Sequence, residues 1–303
     1  MLAVSSVLWP IFALLVSGAL MRRFNFPGEG FWLPAEKLTY YFLFPALLIQ
    51  SLSQASLSGH ESIRLMLAVL LLLGLGGATC FLVQRFIRLD NPSFTSFFQG
   101  STRFNTFVAL AVTSAQLGSA GLALAAVIAA VMIPVLNIMC VLVFASCSDK
   151  RPSLIAVFKT LITNPLILAS LFGVVINLLG GLPTLMLPFF AMLSQMALPL
   201  GLLTVGAALN LSALRRSGSG MLYSMGIKLL LFPLLAWVSG MLLGLSDLAL
   251  ATLIIFATIP TATSAYILAR QLGGEAQLMA AIITAQTLVS MLTIPFWLAL
   301  LMC

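Results

Sequence analysis

The chain has 303 residues, 61% hydrophobic and only 7% charged, with 14 Lys plus Arg against 7 Asp plus Glu and a single His. A soluble domain carries about a quarter charged residues, so this chain cannot cover a water-facing surface, and its hydrophobicity excludes disorder. The net charge of +7 is spread too thinly to form a nucleic-acid footprint; the solvent for most of the chain is lipid.

A helix needs about 20 apolar residues to cross the hydrocarbon core. Ten segments qualify, roughly 3–21, 33–52, 63–84, 94–115, 119–145, 155–179, 188–210, 221–243, 248–268 and 276–302. Connections are short and barrel-type strand alternation is absent, so the expected fold is an all-α polytopic membrane protein. The first segment differs from a signal peptide, because no cation precedes it and Arg22 and Arg23 follow it. With the N-terminus outside, Arg22, Arg23, Lys37, Arg85, Arg88, Lys150, Arg151, Lys159, Arg215, Arg216 and Arg270 fall on the cytoplasmic side and Arg64 alone outside. The positive-inside rule then puts both termini on the outer face of the cytoplasmic (inner) membrane. Cys80, Cys140, Cys147 and Cys303 have no metal-like or redox spacing, so no metal and no cofactor are expected.

An offset of 154–155 aligns the chain with itself. Pro10 falls on Pro165, Gly18 on Gly173, Leu33-Pro34 on Leu187-Pro188 and Pro45 on Pro199. Thr106 falls on Thr261, and Gln116-Leu117-Gly118 on Gln271-Leu272-Gly273. Residues 1–150 and 151–303 therefore read as two repeats of five spans each. An odd number of spans inverts the second repeat, the layout of many secondary transporters, whose substrates bind near the midplane at interrupted helices.

Two spans carry polar runs at matching positions. The fourth contains Gly100-Ser101-Thr102-Arg103-Phe104-Asn105-Thr106, and the ninth Thr258-Ile259-Pro260-Thr261-Ala262-Thr263-Ser264. Pro260 removes a backbone donor and is expected to break its helix, and Pro134 is a second expected break. Arg103 lies roughly 13 Å deep at 1.5 Å per residue, where a cation normally faces a polar cavity or a partner. The carboxylates Glu29, Glu36, Glu61, Asp90, Asp149, Asp247 and Glu275 fall in loops or near helix ends. Arg103 is thus open either to bidentate binding of an anionic substrate or to snorkelling towards the interface, and the shallower Lys228 is expected to snorkel. A carboxylate ion relay is disfavoured; Na⁺ held by carbonyls and hydroxyls, or a uniporter, remains open.

These motifs resemble the auxin efflux carriers in the wide sense, especially their bacterial branch. Arg103-Phe104-Asn105-Thr106-Phe107 resembles the family's Arg-x-Asn motif. Pro134-Val135-Leu136-Asn137 is similar to its Pro-x-x-Asn run, and Asn164-Pro165 to the Asn-Pro that opens the sixth helix. Gln195-Met196-Ala197-Leu198-Pro199-Leu200 with Gly206 resembles the seventh-helix signature. Pro260 with Leu268-Ala269-Arg270-Gln271-Leu272-Gly273-Gly274 resembles the ninth helix and its turn. The resemblance spans nearly the whole chain. It implies inverted repeats with broken fourth and ninth helices that cross at the substrate site. It also implies a scaffold of helices 1, 2, 6 and 7, a mobile domain of helices 3–5 and 8–10, and a homodimer. Asn105, Asn137 and Pro260 carry over by motif. The plant members have proline where this chain has Phe104, which weakens auxin itself as the substrate.

The expected function is secondary active or facilitative transport of a small organic mono- or dicarboxylate. The substrate-binding candidates are Arg103, Asn105, Thr106, Asn137, Thr258, Pro260, Thr261, Thr263 and Ser264. Partial positive charge at the half-helix N-termini would favour carboxylates. A Na⁺-coupled symporter of the bile-acid-carrier kind is the alternative. An intramembrane enzyme would need a Cys/His/Asp/Glu cluster, which the sequence lacks, and a sensor would need a signalling domain.

Overall fold

The computed structural model describes residues 2–54, 59–147, 163–216 and 218–301. Most of the expected turn at 146–154 and the start of the sixth expected span lie outside them. Every regular element among the described residues is helical. In chain order these are α1 (Leu2–Arg23), α2 (Glu29–Leu38), α3 (Phe44–Ser53), α4 (Gly59–Ile87), α5 (Asn91–Thr102) and α6 (Thr106–Cys147). There follow α7 (Pro165–Leu178), α8 (Leu187–Ala207), α9 (Ser219–Gly226), α10 (Phe232–Leu242), α11 (Asp247–Thr258), α12 (Ser264–Leu272) and α13 (Ala276–Leu301). Wide π turns join α2 to α3 (Thr39–Leu43) and α9 to α10 (Ile227–Leu231).

Among the described residues, five stretches are long and apolar enough to cross a membrane: Gly59–Ile87, Asn91–Cys147, Leu187–Ala207, Ser219–Leu242 and Ala276–Leu300. Pro165–Leu178 and Asp247–Thr258 are apolar but shorter. The expected second span runs helically through its π turn from 29 to 53, whereas the ninth is divided by residues 259–263. Asn91–Cys147 contains two expected spans, parted at Gly118, whose φ of 62° ends one helix and redirects the chain. Large apolar side chains face outward, among them Leu185 (90% exposed) and Leu292 (76%). Contiguous apolar surface is a liability in water and is what lipid requires.

Proline explains the π turns. Pro45 and Pro233 have no N–H, and their rings crowd the carbonyl four residues back; a widened turn just ahead of each relieves the crowding. The carbonyl that Pro233 would have engaged is that of Leu229, and Trp297 Nε1 on α13 donates to it at 2.9 Å. Pro134 behaves otherwise. The helix runs through it, and the non-helical backbone of α6 is at Gly118 instead; the expected break at Pro134 is not observed.

Glycine sets the closest helix contacts. A Cβ added at Gly18 of α1 would strike the carbonyl of Leu203 on α8, and one at Gly206 of α8 would strike the carbonyl of Leu15 on α1. Gly173 of α7 packs on α3, where a Cβ would lie 3.2 Å from the Ile49 Cα. Asn177 Nδ2 adds a 3.1 Å hydrogen bond to the Ser53 carbonyl across the same pair. Left-handed backbone recurs along the chain at Asn25 and Gly180, Arg88 and Gly244, and Gly118 and Gly273.

Candidate functional site

The fourth and ninth expected spans are both interrupted near their centres. α5 stops at Thr102 and α6 starts at Thr106; α11 stops at Thr258 and α12 starts at Ser264. The interruptions touch, since the Asn105 N–H donates to the Pro260 carbonyl at 2.8 Å. Within this contact Asn105 is an N-cap. Its Oδ1 accepts from the N–H groups of Phe107 (3.0 Å) and Val108 (3.3 Å), which satisfies two of the four donors a helix start leaves open. Asn164 does the same for α7, accepting from Leu166 and Ile167, and its Nδ2 donates to the Tyr40 hydroxyl at 3.2 Å.

Arg103 lies just past the end of α5 in extended conformation, φ −70° and ψ 161°, so its side chain leaves the helix axis. Arg103 lines a cavity of about 70 Å³ with Tyr40, Thr106, Asn137, Asn164 and Ser264. Nη1 is buried without a hydrogen-bond partner. Among the described residues the one ion pair is Arg22–Glu29 at 3.4 Å, so no described carboxylate pairs with Arg103. Buried cationic donors are strong hydrogen-bonding groups, and leaving one unused costs free energy. An anion entering this cavity would meet the positive charge of Arg103 and the start of α12, which has no side-chain cap.

The sequence-based candidates divide into two sets. Arg103, Thr106, Asn137 and Ser264 line the cavity. Asn105, Thr258, Pro260 and Thr261 are buried in the crossing itself. Thr258 Oγ1 bonds back to the Ile255 carbonyl at 2.7 Å, and the Thr261 N–H donates to Gln286 Oε1 at 2.9 Å. Thr263 turns elsewhere, with its hydroxyl 3.4 Å from Glu36 Oε1. That contact amends the expectation that every acid stays away from the site, because half-buried Glu36 on α2 reaches the ninth-span interruption. Distance along one helix does not reveal which part of its neighbour lies level with it. Lys228 also departs from expectation. It does not snorkel but is 0% exposed, with Nζ 4.6 Å from the Phe232 ring centroid and no hydrogen-bond partner.

Tyr40, Asn164, Glu36 and Gln286 were not among the substrate-site candidates. The Asn-Pro pair at 164–165 did carry a signal, that of a capped helix start. Tyr40 carried none beyond its place four residues after Glu36, on the same helical face. A second space of about 460 Å³ lies among Gln50, Gln54, Glu61, Ser119, Ser194 and Ser246. Glu61 there accepts from the Ser246 hydroxyl (2.6 Å) and N–H (3.0 Å).

The family model described as "Membrane transport protein" matches residues 34–298. An "Uncharacterized transporter" of Methanothermobacter thermautotrophicus is 26% identical over 293 residues, covering 95% of this chain and 95% of the relative. A Rhizobium meliloti protein named "Putative malonate transporter" is 27% identical over 312 residues, covering 97% of this chain and 94% of that one. With its lipid-facing helices and a match over most of its length, the chain is an integral membrane transporter, not an enzyme, and belongs to the membrane transport protein (auxin efflux carrier) family.

Proposed function

We propose that the chain carries a small organic anion, a mono- or dicarboxylate, across the cytoplasmic membrane by alternating access. The observation that carries this reading is Arg103, with no carboxylate partner among the described residues, in a half-polar cavity where two interrupted helices meet. Substrate contacts come from Arg103, Thr106, Asn137 and Ser264. Asn105, Thr258, Pro260 and Thr261 hold the crossing, and Thr263 stands at its edge. The malonate in the name of the Rhizobium meliloti relative agrees with this chemistry.

The architecture behind the reading is ten spans in two inverted repeats of five, residues 1–150 and 151–303, with both termini outside. Three pairs of left-handed residues spaced by 155 or 156 positions support it, two of them pairing a non-glycine residue with a glycine. The scaffold comprises α1, α2, α3, α7 and α8, with glycine contacts joining α1 to α8 and α3 to α7, and the remaining helices move against it as an elevator or rocking body within a homodimer.

Carboxylate-dependent thermal stabilisation of the purified protein tests the site. A bound ligand raises stability by mass action, so malonate, malate or a monocarboxylate should raise the unfolding temperature of the wild type and not of Arg103→Ala. Equal shifts in both proteins would sink the assignment. A second reading, cation-coupled symport, draws on the Glu36 carboxylate beside Thr263; uptake indifferent to both Na⁺ replacement and pH would dismiss it.

A further inference from the structure

An interrupted helix leaves backbone groups without partners, and inside a membrane each must be satisfied by protein or by water. The Gly100 carbonyl would bond residue 104 if α5 continued, but α5 ends at Thr102. The Thr261 N–H lies in the other interruption and has no helical acceptor. One side chain takes both groups. Gln286 on α13, 0% exposed, donates from Nε2 to the Gly100 carbonyl at 2.8 Å and accepts at Oε1 from the Thr261 N–H at 2.9 Å. Nε2 also lies 3.1 Å from the Ser224 hydroxyl on α9, which receives a 3.2 Å hydrogen bond from Ser101.

The chemistry fixes the orientation of this amide. A carbonyl only accepts and an N–H only donates, so oxygen must face Thr261 and nitrogen Gly100. An ionised carboxylate or an apolar side chain of that length lacks the donor, and the hydroxyl side chains, which both donate and accept, do so from a single atom at a different reach. Space is equally restricted, for a Cβ at Gly100 would lie 2.6 Å from Ile282 and 2.9 Å from the Ser224 hydroxyl. Gly100 is three residues from Arg103, and Thr261 lies between Pro260, which holds Asn105, and Ala262, which lines the Arg103 cavity.

We infer that Gln286 is a positioning residue for transport. It clamps the two interrupted helices and the last helix into one body and keeps Arg103 level with Ser264 while that body moves. This role rests on the proposed transport reading, whereas the clamp itself does not. A glutamate at this position can accept from Thr261 in either protonation state but can donate to Gly100 only when protonated. Gln286→Glu therefore converts the clamp into one that closes as pH falls.

The test is labelled-malonate counterflow in proteoliposomes at about pH 5.5 and about pH 8.5, with wild type, Gln286→Glu and Gln286→Leu. The Gln286→Glu rate relative to wild type should rise about tenfold from the higher to the lower pH, as one orphaned buried group regains its partner. Gln286→Leu should stay low at both. A ratio that is flat with pH overturns the inference, as does Gln286→Leu at the wild-type rate. Should Gln286→Leu fail to fold, Gln286→Glu decides alone, since one preparation is compared with itself. If wild type moves no malonate, malonate is not its substrate, and hydrogen exchange of residues 259–263 tests the clamp. Faster exchange than wild type in Gln286→Glu at high pH only supports it; no difference at either pH overturns it.

Discussion

Replacing Gly206 by alanine tests whether α1 and α8 are held together by backbone contact. The added Cβ would lie 2.8 Å from the carbonyl carbon of Leu15 and 3.0 Å from its Cα, with the carbonyl oxygen nearer still. None of these atoms can rotate away as a flexible side chain could, so the helices must part. In lipid, helix association depends on van der Waals packing and hydrogen bonds, and parting forfeits contacts along the whole interface. Overpacking of this kind costs about 1–3 kcal/mol, and the rigid partner puts Gly206→Ala at the upper end. Alanine returns about 1 kcal/mol of helix propensity, which leaves a net loss near 2 kcal/mol. Gly74 on α4 is the control, because nothing lies within 4 Å of its added Cβ; Gly74→Ala should be neutral or gain up to about 1 kcal/mol. Thermal unfolding of both purified variants by tryptophan fluorescence gives the comparison. Gly18→Ala should behave like Gly206→Ala, and the double variant should lose less than the sum, because helices already parted accept the second methyl more easily. Unfolding of Gly206→Ala at the same temperature as Gly74→Ala would refute the reasoning.

Lys228→Met nearly keeps the volume, one atom shorter, while removing a buried amine whose polar contact is the Phe232 ring; thermal unfolding should show a gain of about 1–2 kcal/mol, and a loss would mean the amine has a partner. Asn105→Ala should lose about 1–2 kcal/mol with its two capping bonds, while Asn105→Asp, which keeps the accepting oxygen, should unfold near the wild-type temperature. Ser246→Ala removes both the cap of α11 and a partner of Glu61; it should cost about 1 kcal/mol, measured in the same way.

Some features were legible in the sequence because backbone chemistry dictates them. Pro260 lacks a donor and Gly118 tolerates positive φ, so an interruption at one and a helix end at the other follow from residue type. Asn105 and Asn164 were marked by motif alone, and their capping of α6 and α7 came only with the structure. Arg103 stood out because a cation so deep in an apolar span needs a reason. Pro134 shows the limit of that logic, since α6 absorbs a proline without breaking and the π turns absorb Pro45 and Pro233. What the sequence could not convey is which face meets which. Gln286 reads as one polar residue in an apolar helix until Gly100 and Thr261 are seen on either side of it. Glu36 reads as an interfacial acid until Thr263 comes level with it, and Lys228 reads as shallow until the neighbouring helices enclose it.

The central claim is that Arg103 receives an organic anion at the crossing of two interrupted helices. Counterflow of labelled malonate and malate into liposomes holding the purified protein measures this most directly. Wild type should exchange at least one of the two well above protein-free liposomes, and Arg103→Ala should fall by about tenfold or more, the scale of one lost charge-assisted hydrogen bond. Exchange by Arg103→Ala at the wild-type rate would contradict the claim.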